Sequence, residues 1–407
     1  MASKWRSEMI GDVVRVASGQ VDPKEEKAKS LLVVGSENLY KGGGLDKESL
    51  HTAEELGMIS GKYAFDAEAI LYSKIRPNLN KVCLPDFAGL CSADMYPLWV
   101  RDKKSTDRIY VYYLLISERF VYEATSRSFR TGLPKINRTD LESITVEMPP
   151  LPEQQNIAGI LQTWDAAIEL HDALAEQLRN QHTALIHQLV FSGVRLAPYA
   201  SNQKRKKYRW FNLPSDWQCK RIGTLAHEVS ERNREDEAAE ILSCSKYDGF
   251  VRSLDYFKKQ VYSSDLTGYK RIHRGDFGFP SNHVEEGSIG LQNLTDIGLV
   301  SPIYTIFRFS TDKIDNEYAH YVLKTGLYRH IFEVNTSASV DRRGSLRWDE
   351  FATIPFPVPS LEEQREIVKV LHVSAKRLSA LREERSLLER QKRGLMQKLL
   401  TGEWRVN

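Results

Sequence analysis

Cysteine is scarce in this chain and long apolar runs are missing from it, and each gap closes off a class of protein. Cys83, Cys91, Cys219 and Cys244 are the only four cysteines among 407 residues. They form no CxxC pair and have no histidine at zinc-finger spacing, so reduced thiols in a cytoplasm are expected, not a disulfide framework or a cysteine-held zinc. No stretch is long and apolar enough to span a bilayer, and the opening MASKWRSEMIGDVV lacks the apolar core of a signal peptide. Charge of one sign is not in excess either. The formal balance of +3 is too small to demand a polyanionic partner. KGGGLD, Lys41 to Asp46, has no GK[ST] and reads as a turn, not a phosphate cradle. What is present is a hydrophobic fraction of 41% with 10% aromatics, which argues against disorder in a chain long enough for two domains.

The chain repeats itself at long range. PPLPEQQNIAGIL, Pro149 to Leu161, returns as PSLEEQREIVKVL, Pro359 to Leu371, with Leu151, Glu153, Gln154, Ile157 and Leu161 each matched 210 positions on. Each unit opens with a Trp and an Ile-Gly (Trp5 and Ile10-Gly11; Trp217 and Ile222-Gly223) and closes on a small turn, FSG at Phe191 to Gly193 and LTG at Leu400 to Gly402. The interiors, roughly 12–135 and 224–345, do not match in sequence. Both alternate short β-branched and aromatic runs with Gly, Pro, Asn and Asp clusters, the pattern of short strands in a mixed sheet. Similar frames around different interiors suggest one scaffold presenting two surfaces.

Each frame ends in a heptad series. The first runs Ile157, Leu161, Trp164, Ile168, Ala175, Leu178, Leu185, Leu189, with His171 and His182 in its two gaps. The second runs Ile367, Leu371, Leu378, Leu381, Leu388, Leu395, Leu399, with Ser374, Arg385 and Lys392 at polar positions. Two helices of about 40 residues, roughly 60 Å each, are predicted. Pro152 suits a first turn, Ser360 can cap with Glu363 three residues on, and Gly193 and Gly402 suit C-terminal caps. The first helix is acidic (Asp165, Glu169, Asp172, Glu176) and the second basic (Lys376, Arg377, Arg382, Arg385, Lys392, Arg393), so an antiparallel pairing within the chain is expected.

These features resemble the specificity subunit of type I restriction-modification systems. The resemblance rests on the twice-used P-x-L-x-EQ-x-x-I helix entry and the closing SG and TG turns. SKIRPNLNKV at Ser73 to Val82, and RGDFGFPSNHVEEGSIG with GLVSPIY in the second half, add to it. It covers essentially the whole chain. It implies an α+β architecture in which two target-recognition domains of mixed sheet and helices are separated by two long helices forming an antiparallel coiled coil. The expected boundaries are a first recognition domain over 1–150, a central helix over 151–193 and a basic polar linker over 194–212. A second recognition domain over 213–360 and a C-terminal helix over 361–407 follow. The resemblance further implies a non-catalytic chain that reads split double-stranded DNA and docks two modification (methyltransferase) subunits, joined by restriction subunits in the full complex. No cofactor is expected on this chain; S-adenosylmethionine, ATP and Mg²⁺ belong to the partners.

Arg and Asn on loops are the side chains suited to guanine and adenine edges. In the first unit the candidates are Lys74, Arg76, Asn78, Asn80, Lys81, Arg127, Arg130, Lys135, Asn137 and Arg138; in the second they are Ser281, Asn282, His283, Arg342, Arg343 and Arg347. The basic run KRKKYR, Lys204 to Arg209, can meet phosphate or serve as a solvated tether. Two rival readings are a scaffold without methyltransferase partners and a Mg²⁺-dependent nuclease. The nuclease would use Pro85-Asp86 with Asp102-Lys103-Lys104, a loose PD-(D/E)xK pattern, but DKKSTD reads as a solvated turn. MPPL, Met148 to Leu151, lacks the Asn or Asp of an amino-methyltransferase motif.

Overall fold

The computed structural model describes residues 5–128, 133–197, 199–201, 204–233, 239–246, 249–257, 262–263, 265–282, 284–336 and 345–406. The chain divides into two compact units, Met1–Asp172 with Glu383–Asn407, and Ala173–Arg382.

In the first unit the strand Arg6–Met9 pairs antiparallel with Thr145–Met148, closing the domain at the foot of the long helix. Between them lie two four-stranded sheets. One is antiparallel, in the order Val14–Val16, Met95–Val100, Ile70–Ser73, Val82–Cys83. The other runs His51–Thr52, Leu32–Val34, Gly89–Cys91, Tyr63–Phe65, with one parallel pairing, Val33 opposite Leu90. Two helices follow, Arg108–Ile116 and Glu118–Ser126, capped by the side chains of Asp107 and Ser117, which accept from the Tyr110 and Phe120 amides.

The second unit repeats this plan strand for strand. Gln218–Arg221 pairs with Pro355–Val358. One sheet runs Ala226–Val229, Tyr304–Phe309, Phe277–Pro280, Gly290–Leu291, and the other Gly249–Arg252, Glu240–Ser245, Ile297–Val300, Lys270–His273, again with one parallel pairing, Glu240 opposite Gly298. Asp315 and Thr325 cap helices Asn316–Leu323 and Gly326–Asn335. The middles do not match residue by residue in sequence, yet their topology is the same. The cores are filled differently, with Ile70, Val82, Leu98 and Leu115 in the first and the rings of Phe277, Phe279, Phe307, Phe351 and Phe356 in the second. Phe307 lies 4.9 Å from Phe351 and 5.3 Å from Phe277, and each such buried ring contributes roughly 2–3 kcal/mol.

The long helices are Leu151–Val190 and Leu361–Leu400, 40 residues each. In each unit half of one runs antiparallel to half of the other, with the heptad positions turned inward. In the first unit Asp165 meets Lys392, Arg385 donates to Asp172 (Nη2 to Oδ2, 3.1 Å), and His171 meets Glu384 at 3.2 Å. In the second, His182 Nδ1 lies 3.0 Å from Ser374 Oγ. The acid-to-base complementarity expected from the sequence is therefore realised. The Ser360 hydroxyl accepts from the Glu363 amide at 3.2 Å, and Gly193 and Gly402 leave the helices at φ +71° and +73°, left-handed values that favour glycine.

Candidate nucleic-acid interface

The repeated Glu-Gln pair is explained by structure, not by ligand contact. Gln154 is fully buried: its Oε1 accepts from the Asp107 amide at 2.8 Å and its Nε2 donates to the Ser105 and Pro149 carbonyls at 3.0 and 2.7 Å. Gln364 makes the same three bonds, to the Asp315 amide and the Lys313 and Pro359 carbonyls. Each glutamine thus fastens the start of a long helix to the turn that begins the short helix pair. Glu153 accepts from the Trp5 indole and the Arg405 guanidinium, and Glu363 from the Trp217 indole and Arg195. The arginine that follows each long helix therefore holds the glutamate that begins the other.

With the frame fixed, the loops carry what differs. In the first unit the two candidate stretches come together. The Arg76 amide donates to the Pro134 carbonyl at 2.8 Å, the Ile136 amide to the Lys74 carbonyl at 2.9 Å, and Ile75 bridges to Lys135. In the second unit the corresponding junction is the Leu346 amide on the Ser281 carbonyl, 2.8 Å.

The side chains at these junctions divide sharply. Arg76 and Asn78 are exposed and make no side-chain hydrogen bond or ion pair among the described residues. Arg76 sits at φ +47°, a left-handed value uncommon for a side chain of its size, at the head of the turn Pro77–Leu79. In the second unit Arg347 is exposed and Asn282 half-buried, and neither has a side-chain partner among the described residues.

The other candidates are held by the fold. Asn80, also left-handed at φ +52°, donates to the Ile116 carbonyl at 2.8 Å, and Lys81 to the Ser36 carbonyl at 2.6 Å. Arg127 binds Ser143 and Glu123; Asn137 caps the helix Arg138–Glu142; Arg138 pairs with Glu142 and reaches the Val16 carbonyl. Ser281 donates to the Ile303 carbonyl at 3.0 Å. Lys74 and Lys135 share Asp94, at 3.9 and 3.2 Å. Burial first, then the charge of Lys135, hold the Lys74 ammonium below the usual lysine range. Arg130, His283, Arg342 and Arg343 lie outside the described residues.

One candidate was missed. The loop after Leu39 packs its backbone on the Arg76 turn, with the Gly42 amide donating to the Asn80 carbonyl at 3.0 Å and Gly44 to Val82 at 2.9 Å. Gly42, Gly43 and Gly44 all have positive φ, so the three glycines of KGGGLD are what let the loop lie there. The loop that carries them also carries Tyr40 and Lys41, both exposed. The run of glycines was visible in the sequence; its neighbour was not.

The basic run is a hairpin, not a loose tether: Arg205–Lys207 pairs antiparallel with Asn212–Pro214. The nuclease pattern is dispersed into local contacts. Asp86 pairs with Lys47, Lys103 with Glu68, and Asp102 closes its own turn by accepting from the Lys104 amide and Ser105 hydroxyl. Among the described residues no three His, Cys, Asp or Glu side chains gather as a metal site, and no helix is long and apolar enough to cross a membrane.

Residues 2–180 and 214–390 both match the type I restriction modification DNA specificity domain. The chain belongs to that family. Its similarity to the EcoDI specificity subunit of Escherichia coli is 43% over 106 residues, only 26% of this chain and 23% of the relative. The MjaVIII specificity subunit of Methanocaldococcus jannaschii is 26% identical over 328 residues, 78% of this chain and 75% of that one. The putative MjaX subunit of the same organism is 22% identical over 99% of this chain and 94% of its own length. Two solved structures share the specificity-subunit fold. One, from work on complex assembly and conformational transition of a type I R-M system, has a TM-score of 0.60 at 16% identity over 98% of both chains. The other, the S subunit from M. genitalium, has 0.51 at 19% identity over 98% of this chain and 96% of its own.

Proposed function

We propose that this specificity subunit reads a split double-stranded DNA site, one half by each unit, and carries two modification subunits on its paired helices. The carrying observation is that two units of one strand order present different Arg and Asn side chains, without a side-chain partner among the described residues, at equivalent junctions: Arg76 and Asn78 in one, Asn282 and Arg347 in the other. Arg fits guanine O6 and N7 and Asn fits adenine N6 and N7, while lysines such as Lys41 suit phosphate. Arg130, His283, Arg342 and Arg343 belong to the same proposed surfaces by sequence position. The repeated frame, with its matching clamp in each unit, supports a seat for two copies of one partner. In this reading the chain is non-catalytic, and S-adenosylmethionine, ATP and Mg²⁺ act on partner subunits, with restriction subunits completing a cytoplasmic complex.

The test is an exchange of residues 213–355 for the same unit of a relative, followed by genome-wide mapping of methylated sites. One half of the site should change and the other stay. A site changed in both halves would defeat the modular reading.

A further inference from the structure

The turns beside Arg76 and Asn282 are tied down at the same place by different side chains. In the first unit the strand Ile70–Ser73 leads into the turn Pro77–Leu79, and in the second Phe277–Pro280 leads into Val284–Glu286. Both turns close with one backbone bond, the Asn80 amide on the Pro77 carbonyl and the Gly287 amide on the Val284 carbonyl, each 2.9 Å. Asn80 and Gly287 both take a positive φ, +52° and +97°. Equivalent positions thus hold an asparagine in one unit and, in the other, a glycine with no side chain to donate.

In each unit the second short helix packs against this turn. Ile116 directly precedes Ser117, whose side chain caps Glu118–Ser126, and Lys324 directly precedes Thr325, which caps Gly326–Asn335. In the first unit a bond runs from turn to helix corner, with Asn80 Nδ2 donating to the Ile116 carbonyl at 2.8 Å. In the second it runs from corner to turn, with Lys324 Nζ donating to the Gly287 carbonyl at 3.0 Å. A further bond ties each assembly to the chain just past a strand of the other sheet. Lys81 Nζ reaches the Ser36 carbonyl at 2.6 Å, beyond Leu32–Val34, and Lys324 Nζ reaches the Lys246 carbonyl at 2.8 Å, beyond Glu240–Ser245. Turn, helix corner and second sheet are therefore joined in both units, although the donors stand at different positions of the fold.

We propose that Asn80 with Lys81 in the first unit, and Lys324 in the second, are positioning residues for base reading: they hold the turns beside Arg76 and Asn78, and beside Asn282, at a fixed depth against the helix corner. The assignment rests on the function proposed above. Bidentate bonds from Arg or Asn to a base edge depend on geometry, and a binding group keeps its selectivity only when its support holds it to within about 0.5 Å. Arg76 and Asn78 have no side-chain partner among the described residues, so their backbone must supply that rigidity. Asn80 makes its bond although its Oδ1 is left buried without a partner among the described residues, and although glycine fits a left-handed position more easily. Stability alone would favour the glycine that the second unit uses. The asparagine supplies the donor that the second unit takes from Lys324.

The experiment uses the full chain assembled with its modification subunits, and duplexes that carry the mapped methylation site with one base pair changed in each. Asn80→Gly gives the first unit the second unit's backbone without the donor. Lys81→Met removes the other bond and keeps the stem of the side chain. Each should lower base preference in one half-site at least tenfold and leave the other half-site unchanged, and Lys324→Met should do the same to the opposite half-site. Thermal midpoints should stay within about 4 °C of the parent. Unchanged preference in all three variants overturns the proposal. A midpoint lowered further with preference intact in both halves makes the bonds structural only and overturns it too. Should Asn80→Gly fail to fold, Lys81→Met decides for the first unit and Lys324→Met for the second. If the wild-type complex prefers no base in either half, the proposed function fails, and this assignment with it.

Discussion

Arg405 donates twice to Glu153, Nε to Oε1 at 2.7 Å and Nη2 to Oε2 at 2.8 Å, across 252 positions of sequence. Arg195 makes the same fork on Glu363 at 2.9 and 2.7 Å. The two clamps differ in burial: Arg195 and Glu363 are 5% and 3% exposed, Arg405 and Glu153 34% and 10%. Breaking a well-buried pair by removing one partner costs about 3–5 kcal/mol, and a partly exposed one less. Glu363→Gln should therefore lower the unfolding free energy of the second unit by about 3 kcal/mol or more. Glu153→Gln should cost the first unit about 1–2 kcal/mol. Calorimetry with site-resolved hydrogen exchange separates the units; equal losses would contradict the burial argument.

The clamp was half legible in the sequence. The repeated Glu-Gln was conspicuous, and so were Trp5 and Trp217, but nothing in the linear order says that Arg195 belongs to the second helix's start. Long periodic elements were read well, because the heptads extend over 40 residues and burial enforces them. The common topology of the middles was not. It rests on short signals such as Asp107 with Tyr110 and Asp315 with Tyr318, where a helix cap is followed by a buried tyrosine whose hydroxyl reaches the closing strand, at the Glu147 and Pro357 carbonyls. Loop side chains were the least legible. Arg and Asn serve turns and helix caps as readily as they serve bases, and only the partner of each side chain tells them apart.

Gln154→Leu should leave the Asp107 amide and the Ser105 and Pro149 carbonyls without partners inside the protein. Such a loss costs about 2–4 kcal/mol. Because Asp107 caps the helix Arg108–Ile116, the first sign should be lost hydrogen-exchange protection at Tyr110 to Leu114. Gln364→Leu should do the same at Tyr318 to Val322. Full protection in either variant would mean that the glutamine is not the fastener.

His320 provides a pH test of the second unit. Burial first, and then the nearby Lys324 charge, push its imidazole down to about 4. The unfolded chain takes up that proton near pH 6.5 and the folded one does not, so stability is full above 6.5 and falls as the pH drops toward 4. Between pH 7 and pH 5 the wild type should lose about 2 kcal/mol more than His320→Gln, as read from urea midpoints. Parallel losses would show that other groups set the acid limb.

Arg76 and Arg138 separate reading from folding within one unit. Arg138 is fastened to Glu142 and to the Val16 carbonyl, so Arg138→Ala should lower stability by about 1 kcal/mol and change DNA affinity alike for all sequences, if at all. Arg76 has no side-chain partner to lose among the described residues, and its left-handed backbone costs roughly 1–2 kcal/mol that glycine does not incur. Arg76→Gly recovers that strain but gives back about 0.5–1 kcal/mol through the freer unfolded chain. Its stability should then stay within about 1 kcal/mol of the parent. If Arg76 reads a guanine, the same change should remove about 1–3 kcal/mol of discrimination at one base pair of one half-site. Binding of the assembled complex to a panel of single-base variants, at fixed salt, distinguishes the cases. A uniform loss with a shallower salt slope would make Arg76 a phosphate contact. Unchanged affinity and unchanged preference would take it off the DNA surface.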